Sequence, residues 1–382
     1  MSPGGRRSSS TVIILTIGRI SRWQDPLLSG ETEIVMIEID GSFGEGGGQI
    51  LRTALSLSCM TRKPFRIFNI RKGRKKQGLM PQHLTSVRAA QLLSHGEVIG
   101  GHEGSTELTF TPGEVKGGSF FFDIGTAGSV MLVLQTLIPA LIFLREKTEL
   151  TLIGGTHVPF SPPFHYVNEI FVPFVERMGI TVVLSIESYG FYPKGGGRIR
   201  AEIFPSGQIR PLRVTERGRI VALAGHSGVS NLPVSIAERQ RTGLLEKVHS
   251  ELKDIQCSEA VELIDAPSPG QGAFIFLRAE SEHSIAGFTA LGERGKRAEV
   301  VGAEAAASFL SYHAAGAALD PHLADQLSLY LSLCGEESGF TTSCVTGHLL
   351  TNLWVVGLFR KFRHSLEGEI GRPGRVKIAG KI

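Results

Sequence analysis

From Met36 the apolar positions fall into regular patterns. Ile37 and Ile39 alternate with Glu38 and Asp40, the period-two signature of a half-buried strand, and residues 41–48 form a glycine-rich turn. Residues 49–60 then place Ile50, Leu51, Ala54, Leu55 and Leu57 at helical spacing. A strand over 65–70, a helix over 81–93, strands around 108–110 and 120–124, a helix over 130–144 and a strand over 149–153 follow. Alternation of this kind predicts a mixed α/β (α+β) class, and units of two helices with about four strands suit it, although no repeat is visible residue by residue. The texture changes at Gly195 to Gly197: a strand over 220–224, a helix over 235–252, a strand over 273–279 and an alanine-rich helix over 297–313 read as a smaller α/β domain. A helix over 321–333, a strand near 340–344 and a helix opening at His348 close the chain. The expected organisation is a discontinuous core, 36–198 and 316–382, with 199–315 inserted.

The first 35 residues differ. Arg6, Arg7 and three serines precede a short apolar run, 12–17, closed by Arg19 and Arg22. The run is too short for a secretory signal. The lack of acidic residues before Asp25 leaves an organellar presequence as the alternative to the preferred reading, a poorly ordered tail ahead of a start at Met36.

Length and composition narrow the class. At 382 residues the chain is comfortable as two domains, and 42% hydrophobic with 20% charged residues excludes collagen-like, coiled-coil and disordered chains. Glycine, 47 of 382 or about 12%, exceeds the usual ~7% and signals tight turns or backbone lying close to a ligand. The net charge of +4 permits an anionic partner without requiring one. Cys59, Cys257, Cys334 and Cys344 show no zinc-finger or disulfide spacing, which points to a reducing, cytoplasmic setting. The longest apolar stretch is broken by Gln135, Thr136 and Pro139 and falls short of the roughly 20 residues of a membrane span.

Several clusters carry chemistry. The turn Gly44-Glu45-Gly46-Gly47-Gly48-Gln49 lies between a strand and a helix, where backbone amides suit phosphate; a purely structural turn fits equally well. It is neither a Walker loop nor a dinucleotide fingerprint, and Glu45 belongs there only if a divalent cation bridges it to phosphate. Glu38-Ile39-Asp40-Gly41 mimics a lysine nucleotidyltransferase motif with a carboxylate in the nucleophile's place, which excludes that chemistry. Residues 71–76 hold five basic side chains in six positions, a solvated loop or a phosphate clamp, with Gln82 and His83 following at a helix start. His348 opens a helix, where the macrodipole disfavours imidazolium and leaves a ring nitrogen free to attack. Upstream, Asp325 and Gln326 either face solvent or supply a carboxylate that orients the histidine.

Together these residues resemble the RNA 3'-terminal phosphate cyclase family, in register from Met36 to about Arg363. Eight blocks carry the likeness: Gly44 to Arg52; Ile70 to Arg74; Gln82 to Thr85; Gly125 to Ser129 with Gln135; Gly154 to Thr156 with Pro162 and Pro163; Tyr192 to Gly197; Leu323 to Gln326; and His348 to Asn352. The resemblance implies a core of repeated two-helix, four-stranded units with an inserted α/β domain. It implies an ATP-dependent ligase that converts an RNA 3'-phosphate to a 2',3'-cyclic phosphate through a histidine–AMP intermediate, with ATP and Mg2+ or Mn2+ as cofactors. By position, His348 is the nucleophile and Glu45 the metal ligand. Arg52, Arg71, Arg74, Gln82 and His83 bind phosphate or RNA, while Gln135, Pro162, His322, Asp325 and Gln326 bind the nucleotide. His322 stands where some relatives carry a larger aromatic ring. The family also has a non-catalytic ribosome-assembly branch that lacks the histidine, and an enolpyruvyl-type transferase would share only the architecture.

Overall fold

In a computed structural model, which describes residues 20–22, 35–253 and 256–380, one βαβαββ arrangement occurs three times. The expected tail, residues 1–35, lies outside the described residues except for 20–22 and Val35. Strand β1 (Ile20–Arg22) pairs antiparallel with β2 (Val35–Asp40), which opens the first unit. Then come α1 (Gly48–Thr61), β3 (Phe65–Phe68), α2 (Pro81–Ser94), β4 (Glu97–Ile99) and β5 (Leu108–Thr111), in a sheet of order β1-β2-β3-β5-β4. The second unit comprises β6 (Ser119–Asp123), α3 (Val130–Leu141), β7 (Thr148–Gly154), a broken helical segment, β8 (Val182–Ser188) and β9 (Gly197–Ile203), ordered β6-β7-β9-β8. The broken segment is α4 (Phe164–Tyr166), a π-helical turn (Val167–Phe171) and α5 (Val172–Arg177).

The third unit begins with β10 (Arg213–Val214) and is interrupted at once. Strand β11 (Ile220–Ser230), α6 (Ser235–Glu251), β12 (Ser258–Asp265), β13 (Gly272–Ser281), β14 (Ile285–Leu291) and α7 (Ala298–Ala315) build a separate sheet of order β12-β11-β13-β14. The unit resumes with α8 (Pro321–Leu333), β15 (Glu337–Thr342), α9 (Gly347–Phe359), β16 (Phe362–Glu367) and β17 (Gly374–Gly380), ordered β10-β15-β17-β16. In each unit the first two strands are parallel and the last two join antiparallel.

Local chemistry explains these elements. In β2, Ile37 and Ile39 are buried, and each such side chain withdrawn from water is worth about 1.5–3 kcal/mol. Helix α1 buries Ile50, Leu51, Ala54 and Leu55 against α2, α3 and α9. Pro321 starts α8, and the Asp320 side chain accepts from the backbone N–H groups of His322 and Leu323. One core joins the second and third units; another serves the first unit and takes Val355, Val356 and Phe359 from α9. The inserted sheet buries Leu223, Ile275 and Leu277 under α6 and α7 and turns Phe274 and Phe276 toward the second unit.

The boundary expected at 199 falls inside β9, and β10 is part of the third sheet, so the chain leaves the repeated units only after Val214. The glycines at 195–197, which read as a change of texture, lead from the turn after β8 into the first residue of its hairpin partner β9. Among the described residues no helix is long and apolar enough to cross a membrane.

Candidate active site

His348 is the second residue of α9, whose start is set by Thr346: its Oγ1 accepts from the Leu349 N–H at 3.0 Å. The free N–H groups of that first turn disfavour an imidazolium and favour an anion. Facing it is the glycine turn. Gly44 has φ +58°, and a Cβ there would lie 2.5 Å from Thr351 Oγ1, so only glycine lets the turn approach α9 this closely. The approach puts Glu45 Oε2 2.9 Å from His348 Nε2. That contact needs a proton between the two atoms, whereas Nδ1 is buried without a partner among the described residues. Burial holds the imidazole below its ordinary pKa, Glu45 works the other way, and Arg52, His322 and Arg74 add to the lowering. The ring is therefore neutral near pH 7, with its proton on Nε2 and shared with Glu45.

Beside His348 opens a cavity of about 490 Å³. Its wall takes Arg52 from α1, Gln135 from α3, Pro162 from the loop before α4, and His322, Asp325 and Gln326 from α8. Gln135 Nε2 donates to Gln326 Oε1 at 2.8 Å, tying the second unit to the third. Asp325 is buried, and burial pushes its carboxyl well above the usual range, although the Thr346 hydroxyl works against this. The histidine-orienting role weighed for Asp325 does not appear: its Oδ1 accepts from Thr346 Oγ1, the residue that caps α9, and His348 Nδ1 receives nothing. Asp325 is thus joined to the start of α9 through Thr346. Its backbone oxygen also accepts from Asn352 Nδ2 at 2.8 Å, and Thr53 Oγ1 donates to Asn352 Oδ1 at 2.8 Å.

Of the remaining expected residues, Arg74 and His83 lie by the start of α1, Arg71 nearby, and Gln82 at the start of α3. Arg74 Nη2 donates to the Glu45 carbonyl at 3.3 Å and lies 4.0 Å from its Oε2. Arg71, at φ +55°, donates from Nη1 to the Gly78 carbonyl at 3.2 Å. Gln82 Oε1 accepts from the Ser129 N–H at 3.3 Å, joining α2 to the start of α3. His83 Nδ1 accepts from the Met80 N–H at 3.1 Å, so the ring proton sits on Nε2, beside Gly48, where a Cβ would come within 2.2 Å. Burial, with Arg52 and Arg71 adding, takes His83 down to about 3, so it stays neutral and a donor. Burial also lowers Arg52, to about 10, which leaves it charged at pH 7. Glu45 is an accessible carboxylate and, among the described residues, does not belong to a ready-made set of three acidic or imidazole ligands. Such a donor suits an ion that keeps water and phosphate oxygens as its other ligands, as Mg2+ does.

Sequence reasoning passed over Thr346 and Phe160, and it named Asn352 only as the end of the His348 block, with no role of its own. A threonine three residues before Leu349 is an N-cap signal that could have been read. Phe160 lines the cavity fully exposed at φ +61°, a backbone state that no sequence pattern announces.

Comparison with known proteins gives the family of the chain. A family model described as RNA 3'-terminal phosphate cyclase matches residues 43–366. Three relatives carry that same description. The one from Methylococcus capsulatus is 42% identical over 355 residues, 91% of this chain and 97% of its own. Those from Sulfolobus acidocaldarius and Thermococcus kodakarensis are 46% identical (87% of this chain, 97% of the relative) and 43% identical (91% and 99%). The matched span runs from Phe43, at the glycine turn, to Leu366 in β16 and takes in both Glu45 and His348. The chain belongs to the RNA 3'-terminal phosphate cyclase family.

Proposed function

We propose that the protein uses ATP to convert an RNA 3'-phosphate into a 2',3'-cyclic phosphate, with His348 as the group that carries AMP. The observation that supports this reading most directly is a neutral histidine in the first turn of a helix, at a 490 Å³ cavity, with arginines around it. His348 Nε2 attacks the α-phosphorus of ATP; an N–P bond forms, the bond to the β-phosphate oxygen breaks, and diphosphate leaves. The attack needs the Nε2 lone pair, so the proton shared with Glu45 leaves Nε2 and the reactive tautomer carries its proton on Nδ1. The RNA 3'-phosphate then displaces the histidine, giving an anhydride with AMP. Attack by the adjacent 2'-hydroxyl, which gives up its proton, closes the ring and releases AMP.

Two anions meet in the second step, and Arg52, Arg71 and Arg74 supply the opposing charge. Glu45 would hold a divalent cation such as Mg2+ or Mn2+, which adds further charge neutralisation at the phosphates. The cavity wall of Gln135, Pro162, His322, Asp325 and Gln326 would receive the adenosine. Incubation with α-labelled ATP and Mg2+ or Mn2+ tests the reading: an acid-labile label should appear on the wild-type chain and vanish in His348→Ala. A label that persists in folded His348→Ala would refute the assignment.

A further inference from the structure

A second chemical cluster lies on the far side of the α4 segment. The π-helical turn Val167–Phe171 follows α4 directly, and π-turns are often found at functional positions. Tyr166 faces the cavity, and its hydroxyl donates to Asp320 Oδ1 at 2.7 Å. Its neighbour His165 points to the inserted sheet, as does Glu169, four residues on. His226, on β11 of that sheet, meets them. Glu169 Oε1 stands 3.2 Å from His165 Nδ1 and 2.9 Å from His226 Nε2, and the three atoms all lie within 4.8 Å of one another.

A plain hydrogen-bonded trio would account for the short distances; an ion fits them too, and two further features point to it. A tetrahedral ion with bonds of about 2.0–2.1 Å to nitrogen and oxygen holds its donors about 3.3 Å apart, close to the two separations from Glu169 Oε1, 3.2 and 2.9 Å. One oxygen, Oε1, faces both rings, while Oε2 is turned to Arg278 Nη1 at 3.7 Å; Arg278 is itself paired with Glu280. The outward nitrogens are placed as in metal sites, where the second ring N–H is given to a neighbouring acceptor. His165 Nε2 lies 3.2 Å from the Tyr189 hydroxyl. His226 Nδ1, buried and unpartnered in this arrangement, lies 3.8 Å from Glu262 Oε2. Metallation at Nε2 would fix its proton on Nδ1, beside that carboxylate.

We propose that His165, Glu169 and His226 form a divalent-metal site of the zinc class that clamps the inserted domain to the α4 segment. Two imidazoles and one carboxylate suit Zn2+, Fe2+, Co2+ or Ni2+, whereas Mg2+ prefers oxygen ligands throughout. Three protein ligands leave the fourth position to water. Because Tyr166 adjoins His165 in the chain, the clamp fixes one wall of the 490 Å³ cavity relative to the insertion.

Cobalt(II) serves as the probe. The full chain, stripped with chelator and carrying Glu45→Ala and His348→Ala so that those groups bind nothing, is titrated with Co2+ by equilibrium dialysis and visible absorption. The expected result is one tightly held ion per chain with the ligand-field bands of imidazole and carboxylate coordination. Affinity should fall at least tenfold in His226→Ala and in Glu169→Gln, and the glutamine variant keeps the shape and an acceptor should the alanine variant fail to fold. Zn2+ should raise the melting temperature of the parent and leave Glu169→Gln unchanged. Absence of a tight ion in the parent, or an affinity that His226→Ala and Glu169→Gln leave at the parent's value, would overturn the proposal.

Discussion

At the residue scale the decisive quantity is the charge on His348. Burial lowers its pKa first; the cations Arg52 and Arg74, with His322, push the same way, and Glu45 alone opposes them. The protonated form, which has no lone pair for attack, is therefore populated only below the ordinary histidine value of 6.5. Measured with ATP far below saturation, the rate of AMP labelling should show an acid limb under that value, because this regime reports the free protein. Replacing Arg74 by Gln removes a cation that resisted protonation, so the limb should move up towards 6.5 in addition to any loss of rate. A wild-type limb at or above the ordinary value, or one that Arg74→Gln leaves in place, would show that His348 is not held neutral as described.

At the element scale the histidine depends on how α9 begins. Thr346 does two things at once: it accepts from the Leu349 N–H and donates to the buried carboxyl of Asp325. Thr346→Ala should cost about 1–3 kcal/mol, one part for the lost cap and one for the stranded carboxyl. It should also slow AMP labelling more than tenfold, and Thr346→Ser should restore both; urea unfolding and single-turnover labelling measure the pair. A stability loss with unchanged labelling would make the cap structural only. Helix starts of this kind were legible in the sequence. Asp320-Pro321 announces α8, and the helix over 321–333 was read to its last residue. Edge strands were not legible, since Glu97 and Ile99 of β4 are exposed and β16 buries little, so no alternation marks them. The expected site residues were recognised as blocks, and the fold brings seven of them to one cavity. The Asp325–Thr346 bond and the His165–Glu169–His226 cluster escaped because the partners lie on different elements, 21 residues apart in the first case and, for Glu169 and His226, 57 in the second.

At the scale of the whole molecule, the cavity draws on all three repeated units: α1 gives Arg52 and Thr53, α3 and the loop before α4 give Gln135 and Pro162, and α8 and α9 give Asp325, Gln326 and His348. No unit holds a complete site, which gives the threefold repetition a function that stability alone would not require. Among the described residues the insertion contributes Thr289 alone to the wall, and α6 and α7 pack on the opposite face of its sheet. A ligand that binds only the assembled arrangement stabilises every part that must be in place, by about 2.7 kcal/mol at a hundred times its dissociation constant. ATP should therefore slow hydrogen exchange in α1, α3, α8 and α9 together while leaving α6 and α7 as they were, and His348→Ala, which removes the proposed acceptor of AMP but keeps the cavity, should retain most of that protection. Mass-resolved exchange with and without nucleotide reads each helix separately. Protection confined to one unit, or extending equally to α6 and α7, would mean that the nucleotide does not sit where the three units meet.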